Sequence, residues 1–231
     1  MSTESFVSED ELAARLATHL AHRLGSWPPQ RGLQIVGSDL RDLPEWDGVV
    51  RPVLGIATPE GTVISVPKSV VDSAQILANL GFAQLSEGIG ALFDQPNLPL
   101  GVNDFRYLRE LVALEPLGEW VAADDPRVPA WLRPFDGGVL IVCDEADRYM
   151  AGVGLKLHDE FASEIAVGTE PEFRGRGLAR RLVATAARRL VDEGKTATYE
   201  HVRENATSGA VAVAAGFSDL GWTTIHLGHE E

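Results

Sequence analysis

The stretch GTEPEFRGRGLARRL, residues 168–182, sets Arg174, Arg176, Arg180 and Arg181 around a pair of closely spaced glycines, Gly175 and Gly177. It follows a strand-like run, SEIAVGT, and opens GLARRLVATAARRLVDE, in which Leu178, Leu182, Val183, Ala186 and Leu190 share one face at helical spacing. A glycine-hinged turn at a helix start presents unpaired backbone N–H groups at the positive end of the helix dipole. Glycine lets that backbone approach oxygen atoms that a β-carbon would hold off, and guanidinium groups add fixed charge and paired donors. The chemistry suited to this arrangement is anion binding, with a diphosphate as the natural occupant. A tight strand-to-helix turn surrounded by solvated arginines is the plainer alternative, and composition alone leaves both open.

Other phosphate motifs fit less well. GRGLAR lacks the third glycine of the dinucleotide fingerprint. EGKT at 193–196 has no glycine five positions before Gly194 and follows a helix where a P-loop follows a strand.

The elements that must position this turn can be read along the chain. A helix is expected over 9–24, where Leu12, Leu16, Leu20 and Leu24 form one stripe and Gly25 stops it. Strands are expected at 33–36, 50–58 and 61–67, then a helix over 69–80. DQPNLPLGVND, residues 94–104, is rich in Pro, Asn and Gly and reads as a linker. Beyond it come a strand at 105–112, a Pro- and Trp-bearing connection at 113–137, and strands at 138–144, 149–157 and 163–169. A helix over 176–193, a strand at 196–203, a helix over 206–215 and a strand at 222–227 complete the order. The domains are therefore expected as an N-terminal α/β region at 1–95, a linker at 96–104 and a second domain at 105–231. Strands and helices in this order imply an α/β (α+β) fold with a mixed sheet covered by helices.

Of the 231 residues, 45% are apolar and 23% charged, the profile of a globular protein with a real core. A net charge of −14 disfavours broad contact with nucleic acid and mildly favours cationic small molecules or basic peptides. The N-terminus carries acids where a secretory signal needs a basic start, and no run approaches the ~20 apolar residues of a membrane span. The expected location is cytoplasmic, with no membrane contact. Cys143 stands alone inside GGVLIVCD and reads as a small buried hydrophobe.

Arg174-x-x-Gly177-x-Ala179, after a strand and a TEP turn and opening a helix, resembles the acyl-coenzyme A signature of the GNAT superfamily of N-acetyltransferases. ENATSGAVAVAAGF resembles the family's next helix, with Asn205 at the end of a strand and Gly216-Phe217 closing it. The two motifs span about residues 163–217, and the first 95 or so residues carry no resemblance. The likeness implies the acyl-CoA N-acyltransferase fold, a mostly antiparallel central sheet flanked by helices, and acetyl-CoA as acyl donor. It implies further that the backbone of Val167, Gly168 and Thr169 lies beside the pantetheine arm. By the same likeness Arg174, Gly175, Arg176, Gly177, Leu178, Ala179 and Arg180 would hold the diphosphate and Asn205 would touch the pantetheine; an N-cap role for Asn205 is compatible with this.

Transfer of an acetyl group to an amine needs alignment, a neutral nucleophile and an oxyanion donor. Glu164 resembles the family's glutamate base, with a water-facing strand-edge carboxylate as the alternative. His201, on a face with Tyr199, competes through its near-neutral intrinsic pKa. His158, Asp159 and Glu160 read as a solvated turn, and no metal is expected. Many family members carry a tyrosine seven residues after the asparagine as the acid for the departing thiolate; Ala212 stands there. Tyr199, Tyr149 or water could do that work, or the thiolate leaves unprotonated, or the protein binds acyl-coenzyme A without turning it over.

Trp120, Trp131 and Phe135 could wall an acceptor pocket and Asp124 and Asp125 attract a cation, although core plugs and solvated acids are the plainer reading. The expected function is N-acetylation of a small-molecule or peptide amine, with a non-catalytic acyl-coenzyme A sensor as the alternative and acylation of charged transfer RNA a weaker third. A homodimer is left open.

Overall fold

The structure, a computed structural model, describes residues 7–228. It contains α1 (Glu9–Leu24), β1 (Leu33–Gly37), β2 (Leu54–Ala57), β3 (Thr62–Val66), α2 (Val71–Leu80), α3 (Phe82–Gly88) and β4 (Leu100–Tyr107). These are followed by β5 (Glu119–Val121), β6 (Val139–Cys143), β7 (Tyr149–Leu157), β8 (Ala162–Thr169), α4 (Leu178–Asp192), β9 (Thr196–His201), α5 (Ala206–Ala214) and β10 (Thr223–Leu227). The fold class is as the sequence implies: mixed sheet, mostly antiparallel, flanked by helices. Among the described residues no helix is long and apolar enough to cross a membrane.

Contacts divide the chain into two compact units that do not follow the 1–95 and 105–231 division. One unit comprises the chain up to Leu16, Arg106–Glu200 and Asn205–Asp219. The other comprises Ala17–Phe105, His201–Glu204 and the chain from Leu220 onward.

In the first unit the strands run in the order β5, β6, β7, β8, β9, antiparallel except for the last pair. α4 packs one face of this sheet, burying Leu182, Val183, Ala186, Ala187 and Leu190 against Val153, Leu155 and Ile165. That stripe is the one legible in the sequence, and Gly194, with φ +82°, ends the helix. Leu12 of α1 is buried in the same core.

In the second unit the order is β1, β3, β2, β10, β4, with only β1 and β3 parallel. Its core joins Ile64 and Val66 of β3, Ile225 of β10, Ala74 of α2 and Leu85 of α3. Glu45 anchors a surrounding loop, accepting from Arg23 at 2.8 Å and Arg41 at 3.3 Å.

The structure has two elements the expectation lacked, α3 and β5, and among the boundaries that shift three are explained by particular residues. Residues 100–104, expected in the linker, form most of β4 and pair with β10, so the strand begins and ends five residues earlier than 105–112. Leu100 and Phe105 are buried, and that burial outweighs the turn-forming composition around them. The strand expected at 50–58 contracts to β2, because Pro52 has no N–H for a ladder. α4 starts at Leu178 instead of residue 176, because Gly177 takes a left-handed conformation (φ +72°, ψ 15°) outside the helix. Ser8 Oγ accepts from Glu11 N–H at 3.2 Å at the start of α1, and Leu12, Leu16, Leu20 and Leu24 are all buried core residues.

Candidate functional site

The glycine-arginine turn leaves the end of β8 through a short 3-10 turn at Pro171–Phe173. Gly175 has φ +76° and Gly177 φ +72°, which L side chains rarely adopt. A β-carbon on Gly175 would meet nothing within 4 Å, so backbone conformation, not crowding, demands that glycine. No side chain caps α4, so the N–H groups of Leu178, Ala179 and Arg180 point out of its first turn. Arg174, Arg176 and Arg180 are exposed around them. Arg176 lies over the Phe173 ring, 5.1 Å from its centroid, which sets its head beside the turn. Arg181 turns away, donating to the carbonyl oxygens of Glu115 at 3.0 Å and Pro116 at 3.3 Å. The arrangement can hold a dianionic oxygen cluster.

A slot leads away from this turn. β8 and β9 pair in parallel only through Ala162 with Thr196, Ser163 with Ala197 and Glu164 with Thr198. β8 then runs on to Thr169 and β9 to His201 without further pairing between them. Leu155 of β7 directs its N–H and C=O at the segment entering β6, so its neighbour Gly154 faces β8 and pairs with Ala166. By alternation Ile165, Val167 and Thr169 turn their N–H groups to the β9 side; the Ile165 N–H closes the ladder on Thr198, and those of Val167 and Thr169 lie where β9 has diverged. An extended chain carrying amide groups finds donors there at two-residue spacing, and the Thr169 carbonyl accepts from Arg174 Nε at 3.3 Å. The residues present therefore fit a thioester carrier with a diphosphate head and an amide-bearing arm.

Asn205 caps α5, its Oδ1 accepting from Ser208 N–H at 3.0 Å, which leaves Nδ2 to donate elsewhere. Tyr199 is buried in the helix-side core, its hydroxyl 2.8 Å from Ser208 Oγ and its ring edge-on to Phe217. Burial pushes its pKa up although the Ser208 hydrogen bond opposes this, so the phenol keeps its proton. Ser208 links both candidates, and sequence reasoning missed it. Its place three residues after a capping asparagine was the available signal. Ala212 is fully buried in the same core.

The base candidates are arranged differently from the expectation. Glu164 is no water-facing edge residue: Lys156, its partner in the β7 to β8 register, donates to Oε1, and His158 Nε2 lies 3.2 Å from Oε2. Burial raises its pKa, but the His158 hydrogen bond and the Lys156 charge together outweigh burial and hold the carboxyl below the ordinary carboxylate range. A carboxylate so held is a weak base, and the geometry makes it an ion-pair partner. His158 is thus drawn into this cluster instead of a solvated turn, while Asp159 Oδ1 accepts from Phe161 N–H at 2.9 Å. His201 belongs to the other compact unit and directs Nδ1 at the Val202 carbonyl, 2.9 Å away. A carbonyl only accepts, so Nδ1 is the donor of that contact.

Glu164→Gln should cost about 1–2 kcal/mol at pH 7, where a carboxylate with a depressed folded pKa is stabilising. That contribution is present above the unfolded pKa and lost as pH falls through the folded one, so wild type and variant should converge in acid. Urea unfolding at pH 7, and at pH 2 where the folded carboxyl itself titrates, checks both arms.

The three aromatic residues expected in one wall are split. Trp120 lies on the α4 side, with the Arg189 guanidinium 4.1 Å above its ring. Trp131 and Phe135 lie on the opposite face of β7 and β8, edge to face with centroids 6.0 Å apart. Asp125 does not await a cation: Arg127 already engages both its oxygens, at 3.0 and 2.8 Å, and lowers its pKa. The half-buried Cys143 has its pKa raised by burial, so its thiol stays protonated.

Residues 105–217 match the model of the acetyltransferase (GNAT) family. Among solved structures, a GNAT-family protein from Novosphingobium aromaticivorans aligns at 20% identity and TM-score 0.45, over 57% of this chain and 66% of its own length. An acetyltransferase of the GNAT family from Colwellia psychrerythraea aligns at 15% identity and TM-score 0.47, over 70% of this chain and 75% of its own. A GCN5-related N-acetyltransferase from Kribbella flavida aligns at 14% identity and TM-score 0.40, over 62% of this chain and 65% of its own. The chain thus spans just under two thirds of the first and third of these relatives. No curated protein matches it.

Proposed function

Residues 105–217 belong to the acetyltransferase (GNAT) family, and from that premise we propose that this chain is an acetyl-CoA-dependent N-acetyltransferase acting on a primary amine of a small molecule or peptide. The family supports acyl transfer. The observation that carries the finer reading is the continuity of the glycine-arginine turn with the opening between β8 and β9. In this reading Arg174, Gly175, Arg176, Gly177, Leu178, Ala179 and Arg180 hold the diphosphate, and the backbone from Val167 through Gly168 to Thr169 receives the pantetheine arm. Asn205 adds its Nδ2 donor. Acetyl-CoA supplies an activated acyl group, and holding it beside the amine removes much of the entropic part of the barrier.

The backbone N–H of Val167, directed into the slot, is suited to receive the developing oxyanion. An alkyl ammonium with a pKa near ~10.4 must shed a proton before it attacks. In this reading His201, whose Nδ1 lies 2.9 Å from the Val202 carbonyl, takes that role in preference to Glu164, which Lys156 and His158 hold as an ion-pair partner. Tyr199, held protonated, is the candidate acid. A cytoplasmic location is proposed with this activity.

The competing reading, a non-catalytic acyl-coenzyme A sensor, is favoured by the buried methyl of Ala212, which offers no proton. Release of free thiol from acetyl-CoA across a panel of small-molecule and peptide amines separates the two. Enzyme and sensor differ in amine-dependent release, expected for the wild type. Removal of a general base costs about a hundredfold or more in rate, so His201→Ala should lose that much and Glu164→Gln should not. Binding of acetyl-CoA without release for any amine would favour the sensor, and a loss confined to Glu164→Gln would restore that residue as base.

A further inference from the structure

The length of the acyl chain is limited by what fills the space on either face of β8, an inference that rests on the reading of the slot given above. On the α4 face, Ile165 and Val167 pack into the continuous core around Leu182 and Val183, and no acyl chain can extend there without displacing it. On the opposite face stand Ala166 and Gly168, with Gly154 and Gly152 as their register partners in β7. Two of these glycines make room for rings. A β-carbon on Gly168 would come within 2.7 Å of the Trp131 indole, and one on Gly154 within 2.3 Å of the Phe135 ring.

Ala166 is therefore flanked by aromatic rings, Trp131 over the next glycine along β8 and Phe135 over the glycine across from it. The rings brace each other edge to face at 6.0 Å, and their loop is rigidly seated: Leu132 between them is fully buried, and Arg133 Nε donates to the Val128 carbonyl at 3.3 Å. Phe135 is 9% exposed while Trp131 is 39% exposed, so the indole edge bounds the open end of this wall.

We propose that Trp131 and Phe135 set the acyl-chain length, admitting acetyl and propionyl thioesters and excluding longer ones. With the acyl carbonyl at the Val167 N–H, a chain extending on this face must pass Ala166 and run against a ring already in contact with the strand, and a packed aromatic wall yields little. Neither ring is needed for the diphosphate turn or for the slot backbone. Enlarging the space should leave acetyl-CoA binding intact and add binding of longer chains.

The test is calorimetric titration with acetyl-CoA and hexanoyl-CoA. The wild type should bind acetyl-CoA about tenfold or more tightly than hexanoyl-CoA, the discrimination a closed apolar wall gives against surplus methylenes. Trp131→Ala should remove most of that ratio by strengthening hexanoyl-CoA binding. Phe135→Leu, which keeps a buried aliphatic group in place, should lower it in the same direction and serves if the first variant folds poorly. A wild type that binds both equally, or variants that both keep the wild-type ratio, would overturn the inference while leaving the donor site standing. A wild type that binds neither thioester would overturn the donor site and the inference together.

Discussion

An Arg174→Glu, Arg176→Glu variant should bind acetyl-CoA at least about a hundredfold more weakly than the wild type, because each replacement removes a charge-assisted donor contributing about 1.5–3 kcal/mol and adds repulsion. Its unfolding free energy should fall by no more than about 1 kcal/mol, since both side chains are exposed and only Arg176 packs on a buried ring, that of Phe173. What they hold locally is slight: Arg174 reaches the Thr169 carbonyl at 3.3 Å and Arg176 the Glu172 carbonyl at 3.4 Å. The affinity loss should shrink as salt is raised, because an exposed guanidinium and a phosphate are screened within a Debye length. Titration calorimetry at low and high salt, paired with urea unfolding, reads both arms. An unchanged affinity would remove the turn from donor binding.

The second large effect concerns stability. Gly216→Ala should destabilise the fold by about 3 kcal/mol or more, from two additive causes. Gly216 has φ +94°, where an L residue is strained, and a β-carbon there would stand 2.2 Å from the Glu110 carbonyl oxygen. The same glycine accepts from Arg109 N–H at 3.0 Å, so the backbone has little freedom to retreat. Phe217, which follows, closes over Tyr199. The Gly-Phe pair at the end of α5 is thus a packing requirement, which urea unfolding of the variant measures. A change below about 1 kcal/mol would mean that the 109–112 segment can move aside.

The turn and α4 were legible in the sequence because every contributing feature is local: two glycines, flanking arginines and a helical stripe within some twenty consecutive residues. Asn205 was legible for the same reason. Glu164 was not, because its character is set by Lys156 across the β7 to β8 register and by His158 at the turn between those strands. Nothing in SEIAVGT announces those partners. The separation of Trp120 from Trp131 and Phe135 was hidden likewise, since it depends on which face of the sheet each loop crosses. β4 was misplaced because Pro96, Pro99 and Gly101 signal a loop locally, while pairing with β10, more than a hundred residues away in sequence, decides the matter.

The central claim is that one continuous surface, from the glycine-arginine turn into the opening between β8 and β9, receives acetyl-CoA. Titrating isotope-labelled protein with acetyl-CoA while following backbone amide resonances tests it directly. The account predicts saturable shifts at Gly175, Gly177, Leu178, Ala179 and Arg180 together with Val167 and Thr169, at a common dissociation constant. Shifts confined to other residues, or none at saturating acetyl-CoA, would contradict it.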